Sequence, residues 1–80
     1  SGFTAPLRRW MRHDLKPLLG DFLSPESINQ RGLFDASAIQ RLIAANDSGR
    51  VDASYTLLSL LGIEIWCRNY VDGTSSPILP

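Results

Sequence analysis

The sequence predicts an all-α fold, a small bundle of about five helices. Apolar residues recur at helical spacing in most segments, and capping residues and glycines separate these segments. No segment shows the alternation of apolar and polar residues that is typical of strands. The chain has 80 residues, of which 44% are hydrophobic and 20% charged, so it falls in the range of a single small globular domain.

The first two helices are predicted on either side of Asp14. Pro6 suits the start of a helix of about two turns, because the missing N–H has no partner there in any case. Asp14 is expected to cap a second, short helix that ends near Leu23, and Gly20 weakens this helix. The apolar faces of these two helices are Leu7, Trp10 and Met11, then Leu15, Leu18, Leu19 and Phe22.

The next two helices carry clearer start and stop signals. Ser24 followed by Pro25 and Glu26 predicts a helix start, and the helix can run only to Gln30 or Arg31 before Gly32. Asp35 is expected to cap a longer helix, Ala36 to about Asn46, with Gly49 in a left-handed conformation behind it. Its apolar stripe is Ile39, Leu42 and Ile43, with Gln40 and Arg41 facing water.

The last helix, Ala53 to about Tyr70 with Asp52 as its cap, is apolar around most of its circumference. Such a helix is expected to be buried on several sides, which four short companions could hardly achieve. Its continuous apolar run is too short to span a membrane, and Glu64 and Arg68 lie inside the helix. Residues 1–72 are thus predicted to form the helical segment and residues 73–80 a flexible tail. The apolar residues of this helix are Leu57, Leu58, Leu60, Leu61, Ile63, Ile65 and Trp66.

Composition excludes several classes of function. The formal net charge is zero, which argues against a nucleic-acid partner, since such proteins carry surplus cations. The single cysteine excludes a disulfide framework, and with only one histidine beside it the chain lacks the ligands of a typical tetrahedral metal site, so no metal or cofactor is expected for this chain. The chain carries no secretory pattern and no glycine-rich phosphate loop, and it has no Ser-His-acid set. We therefore expect no catalytic residue and a cytoplasmic location.

A basic cluster near the start is the first candidate site. If the helix continued unbroken, Arg8, Arg12 and Lys16 would share one face and could hold a phosphate or an acidic partner. The alternative is a solvated helix face, which is the commoner role of such charges.

Glu64 and Arg68 are the second candidate site, because they lie four residues apart in the order that favours an ion pair. The pair is predicted to be structural; the alternative is that Glu64 is a base with a raised pKa. Cys67 is expected to be a small core residue, and Trp10 and Trp66 are expected to anchor the core.

Five motifs in register resemble the C-terminal end of glutamine-dependent asparagine synthetases. These motifs are Gly2-Phe3-Thr4-Ala5-Pro6-Leu7, then Trp10, Gly32-Leu33-Phe34-Asp35, Gly49-Arg50-Val51-Asp52 and Glu64-Ile65-Trp66-Cys67-Arg68. Each motif is weak alone, but together they match in order and spacing over about residues 1–72.

The resemblance implies a piece of a longer enzyme that requires ATP and Mg. Family members join a glutaminase domain to a synthetase domain, which activates aspartate as an aspartyl-adenylate before ammonia displaces AMP. Gly2 and Phe3 would then lie in a loop beside the active site, since a lysine commonly precedes this segment in the family. The chain itself would support the synthetase domain, pack against the rest of it, and be inactive alone.

Two alternatives remain open. The chain could be a free-standing interaction module that binds a partner, or a second copy of itself, through its last helix. It could also belong to a relative that adenylates another carboxylate, as β-lactam synthetases and peptide cyclases do.

Overall fold

Five α-helices and a final π-helical turn make up the part of the chain that the computed structural model describes, residues 4–73. They are α1 (Thr4–Arg12), α2 (Lys16–Phe22), α3 (Pro25–Arg31), α4 (Ala36–Asp47), α5 (Ser54–Trp66) and the π turn (Cys67–Val71). No strand occurs among residues 4–73, so the predicted all-α bundle of about five helices is confirmed. Gly2, Phe3 and residues 74–80 of the predicted tail lie outside the described residues.

The middle helices begin and end where their capping residues predict. Ser24 Oγ accepts the backbone N–H of Ser27 at 3.1 Å, and Asp35 Oδ1 accepts that of Ser37 at 3.1 Å. Gly32, with a φ of 76°, ends α3 in the left-handed conformation that glycine adopts without strain. These start and stop signals are local in sequence, which is why the sequence alone locates them.

The predicted cap at Asp14 is wrong. Helix α2 begins at Lys16, and Leu15 stands at its N-cap position without a side-chain hydrogen bond. Instead, the N–H of Leu15 donates to the carbonyl of Trp10 at 2.7 Å, so the backbone itself closes the turn between α1 and α2. A carboxylate cap is not needed where the chain leaves one helix in such a turn.

The last helix differs from its prediction at both ends. Asp52 stands one residue before the N-cap Ala53, yet its carboxylate accepts the N–H of Ser54 at 3.2 Å and the hydroxyl of Ser54 at 2.6 Å. At the other end the α-helix stops at Trp66, and the chain continues as the π turn to Val71, one residue beyond the predicted end near Tyr70.

One face of α5 forms the centre of the core. It packs against α1 and α2, while α3 packs against α4. No helix within the described residues is long and apolar enough to cross a membrane. The core residues are Met11, Leu19, Leu23, Ile28, Ile39, Ala53, Leu57, Leu60 and Leu61.

The prediction that α5 is buried on several sides holds for its inner face only. Leu58 and Ile63 are each about 40% exposed, because the short companion helices cover one side of α5. The prediction that both tryptophans anchor the core is wrong, since Trp10 is 49% exposed and Trp66 is 55% exposed. Gln40, predicted to face water, is partly buried and donates to the carbonyl of Leu23 at 2.8 Å.

Candidate functional site: a buried cluster of charges

Glu64 is the buried charge of the bundle. It lies on α5 with its side chain only 6% exposed. Arg31, in the last turn of α3, donates from Nε to Oε1 at 2.9 Å and from Nη2 to Oε2 at 2.9 Å. This two-pronged geometry is the strongest arrangement available to a guanidinium and a carboxylate. The pair fastens α3 to α5 across 33 positions of sequence.

Arg68 is the second partner of Glu64. Its Nε donates to Glu64 Oε2 at 2.8 Å, so the two residues predicted to pair are in contact. Its Nη2 donates to Ser27 Oγ at 3.1 Å, and its guanidinium lies 4.0 Å above the ring centre of Phe22. Cation–π attraction and the hydrogen bonds hold this side chain in one place. That the pair is structural rather than catalytic stays a prediction.

Asp72 completes what we call the Arg31 cluster: Arg31, Glu64, Arg68 and Asp72. Arg31 donates to it from Nη1 at 2.7 Å and from Nη2 at 3.1 Å. In an unbroken α-helix Asp72 would lie about 80° around the axis from Glu64. The π turn at Cys67–Val71 takes more residues per turn, because its bonds join residues five apart. It thereby returns Asp72 to the face that carries Glu64, and both acids reach the same arginine.

The electrostatics of the cluster keep both acids ionised. The hydrogen bond from Arg31 is the main cause that lowers the pKa of Glu64; Arg68 adds to it, and together they outweigh the opposing effect of burial. The bond from Arg31 likewise lowers the pKa of Asp72, and in return Glu64 and then Asp72 raise the pKa of Arg31. A general base near neutral pH needs a raised carboxyl pKa, so this geometry opposes the alternative in which Glu64 is a base.

An open cleft of about 620 Å³ lies over the cluster. Its walls include Asp21, Glu26 and Gln30 beside the four residues of the cluster. Within the cleft each guanidinium already holds a carboxylate, so an incoming anion would have to compete with charged partners that are fixed in place. The arrangement is suited to holding helices together.

The basic cluster at the start does not form one face. Helix α1 ends at Arg12, and Lys16 begins α2, so the helical spacing that would align these residues is broken. Arg12 Nη2 donates to the carbonyl of Asp47 at 3.0 Å, and Lys16 Nζ lies 2.9 Å from Asp47 Oδ2. Both cations thus contact the end of α4, where the helix dipole favours positive charge. His13 is exposed beside them.

Among residues 4–73, no three His, Cys, Asp or Glu side chains are grouped so that they could hold a metal ion. Cys67 is a free, buried thiol in the π turn, as expected of a core residue.

The sequence reasoning missed Arg31, Asp72 and Ser27. Arg31 reads as an ordinary basic residue in the last turn of a short helix, a position that the helix dipole explains on its own. The sequence did contain a weak signal for further partners. An acid as buried as Glu64, paired only with the partly exposed Arg68, would need additional hydrogen bonds to remain charged. Nothing in the local pattern indicates which distant residue supplies them.

These observations define a small helical domain in which Glu64, the one buried acid among residues 4–73, is paired with two arginines. A model of the family described as asparagine synthase matches residues 1–68, which is most of the chain. The chain belongs to the asparagine synthase family. The match includes Arg31, Glu64 and Arg68, and Asp72 lies just beyond it. Comparison with curated proteins and with solved structures gives no significant match.

Proposed function

We propose that the chain is the C-terminal helical segment of a glutamine-hydrolysing, asparagine-synthetase-like enzyme. In this proposal the enzyme amidates aspartate through an aspartyl-adenylate, and the segment supports the synthetase domain without reacting itself. The family match over residues 1–68 is the observation that carries the proposal. ATP and Mg would bind in the preceding part of the enzyme, in the cytoplasm, and Gly2 and Phe3 would lie beside that site.

The Arg31 cluster supports a structural role for the segment. Its acids are held ionised by two arginines, so neither acid has the proton affinity that acid–base catalysis at neutral pH requires. The four residues join α3, α5 and the π turn. Helix α1, which follows residues 2 and 3 in the chain, packs against α5. A segment fixed in this way would therefore give an active-site loop before α1 a constant support.

The experiment compares the enzyme encoded by the complete reading frame with the same enzyme truncated immediately before Ser1. Asparagine formation from aspartate, Mg-ATP and glutamine is measured, together with AMP release. We expect the complete enzyme to be active, the truncated enzyme to lose nearly all activity, and the 80-residue chain alone to form no AMP. A reading frame that starts at Ser1, or a truncated enzyme of full activity, would overturn the proposal.

The free-standing module is the second candidate, and the exposed apolar residues of α5 favour it. The same assay separates the two, because a module would leave the activity of any neighbouring synthetase unchanged. Replacing aspartate by other carboxylates in the AMP-release assay tests the relatives that make β-lactams or cyclic peptides.

A further inference from the structure

Helix α5 presents an uncharged outer face to solvent. The residues of this face are all exposed, and at about 100° per residue they fall within an arc of about 140°: Tyr55, Leu58, Ser59, Gly62, Ile63 and Trp66. The one charged residue of α5, Glu64, is buried and lies on the opposite side. Exposed apolar residues that share one helix face are typical of a contact surface.

Gly62 stands in the middle of this outer face. A β-carbon built on it would meet nothing within 4 Å, so the packing of residues 4–73 does not require a glycine there. The helix also continues past it to Trp66, so Gly62 does not serve as a stop. Glycine weakens a helix interior relative to alanine, and within a face of exposed apolar side chains it permits the close approach of another backbone.

We propose that the outer face of α5 is the docking site for an uncharged, apolar helix of the synthetase domain in the same polypeptide, crossing α5 at Gly62. This inference rests on the proposed function and adds the place and chemistry of the contact. Leu58 and Trp66, one turn before and one turn after Gly62, would flank the crossing helix. The glycine permits the axes to approach to the short end of the usual 8–10 Å range.

The area of the face favours a tethered helix over a second copy of the chain. Tyr70 in the π turn extends this face, because its ring centre lies 5.4 Å from that of Trp66. Tyr55, Trp66 and Tyr70 are each between 55% and 64% exposed. At about 200 Å² for a fully exposed aromatic side chain, they offer roughly 350 Å² together, and Leu58 and Ile63 add less than half of that. A stable interface between separate proteins needs about 800 Å² per partner. Covalent connection raises the effective concentration to about millimolar, so a smaller contact is sufficient within one polypeptide.

Gly20 provides a matched control for Gly62. It is also exposed inside a helix, α2, and a β-carbon on it would likewise meet nothing within 4 Å. In the 80-residue chain, Gly62→Leu and Gly20→Leu should therefore both melt at or above the wild-type temperature. Only contacts outside the chain can distinguish the two substitutions.

The test is hydroxyl-radical labelling of Trp66, read by mass spectrometry of its peptide, in the chain alone and in the complete enzyme. We expect Trp66 to be labelled several-fold less in the enzyme than in the chain. Gly62→Leu should restore the labelling in the enzyme and lower its melting temperature, while Gly20→Leu should do neither. Activity that depends on the segment, together with equal labelling of Trp66 in both forms, would sink this inference and leave the proposed function standing.

Sedimentation of the 80-residue chain tests whether a second copy of the chain occupies the outer face of α5 instead. We expect a monomer at micromolar concentration, because the face is too small for a stable dimer. A dimer that Gly62→Leu converts to monomer would assign the face to a second copy and overturn the inference. Failure of the proposed function would be detected by a different experiment, the truncation assay, in which the enzyme truncated before Ser1 would keep full activity.

Discussion

Replacing Glu64 with alanine tests whether the Arg31 cluster holds the fold together. The substitution removes three charge-assisted hydrogen bonds, two from Arg31 and one from Arg68. Neither arginine is left alone, since Arg31 keeps Asp72 and Arg68 keeps Ser27. The change in the free energy of unfolding therefore reports the contribution of the buried carboxylate, without the additional cost of leaving a buried charge unpaired.

The expected loss lies below the usual cost of breaking a buried ion pair. That cost is about 3–5 kcal/mol where the remaining charge has no other partner. Here the remaining partners of both arginines, and the 37% exposure of Arg68, reduce it to about 2–3 kcal/mol. A chain of this size has a margin of about 3–5 kcal/mol. Glu64→Ala should therefore use most of that margin.

Thermal unfolding followed by circular dichroism measures the loss. We expect the melting temperature of Glu64→Ala to fall by about 10–20 °C, from about 4–8 °C per kcal/mol in a domain of this size. Glu26→Ala, an exposed acid in the first turn of α3, is the control and should cost less than about 1 kcal/mol. If Glu64→Ala melts within a few degrees of Glu26→Ala, the cluster does not hold the fold and the reasoning is refuted.

Three further predictions concern pH, a buried amide and nucleotide binding. Arginine pairing lowers the pKa of Glu64 and Asp72, so the unfolded chain takes up protons first as the pH falls. The free energy of unfolding should thus be constant above about pH 5 and decrease below it, and Glu64→Gln should flatten this decrease in an acid titration of the melting temperature. Asn46 Oδ1 accepts the buried N–H of Ala53 at 2.8 Å, so Asn46→Ala should cost about 1–3 kcal/mol by urea unfolding, and a change below 0.5 kcal/mol (roughly the scatter of surface substitutions) would contradict this. The 80-residue chain should bind Mg-ATP no better than background in calorimetry, whereas micromolar affinity would make it a nucleotide site in its own right.

Local signals predicted the helices well because each depends on a few neighbouring residues. Ser24 and Asp35 accept N–H groups two or three positions ahead, and Gly32 needs only its own backbone freedom. The prediction that Asp14 caps α2 was wrong because backbone hydrogen bonds close the turn between α1 and α2. A pattern of side chains does not reveal such bonds. The prediction that both tryptophans lie in the core was wrong because the apolar character of a residue does not indicate which side of its helix is covered by other helices.

The candidate site was predictable only in the part that lies on one helix. Glu64 and Arg68 are one turn apart, so their spacing places them in contact. Arg31 reaches Glu64 only after the fold has brought the end of α3 within side-chain reach of α5, and Asp72 reaches Arg31 only because the chain takes a π turn. Neither event has a signal in the local sequence. The structure therefore turns a predicted pair into a cluster of four residues.

The central claim is that Glu64 holds the segment together and does not take part in the reaction of the enzyme. The most direct measurement is aspartate-dependent AMP release per folded molecule of the complete enzyme carrying Glu64→Gln, with the folded fraction determined on the same sample. We expect a lower yield of folded enzyme and a lower melting temperature, with turnover per folded molecule close to that of the wild type. A variant of wild-type stability whose turnover collapses would instead place Glu64 in the active site.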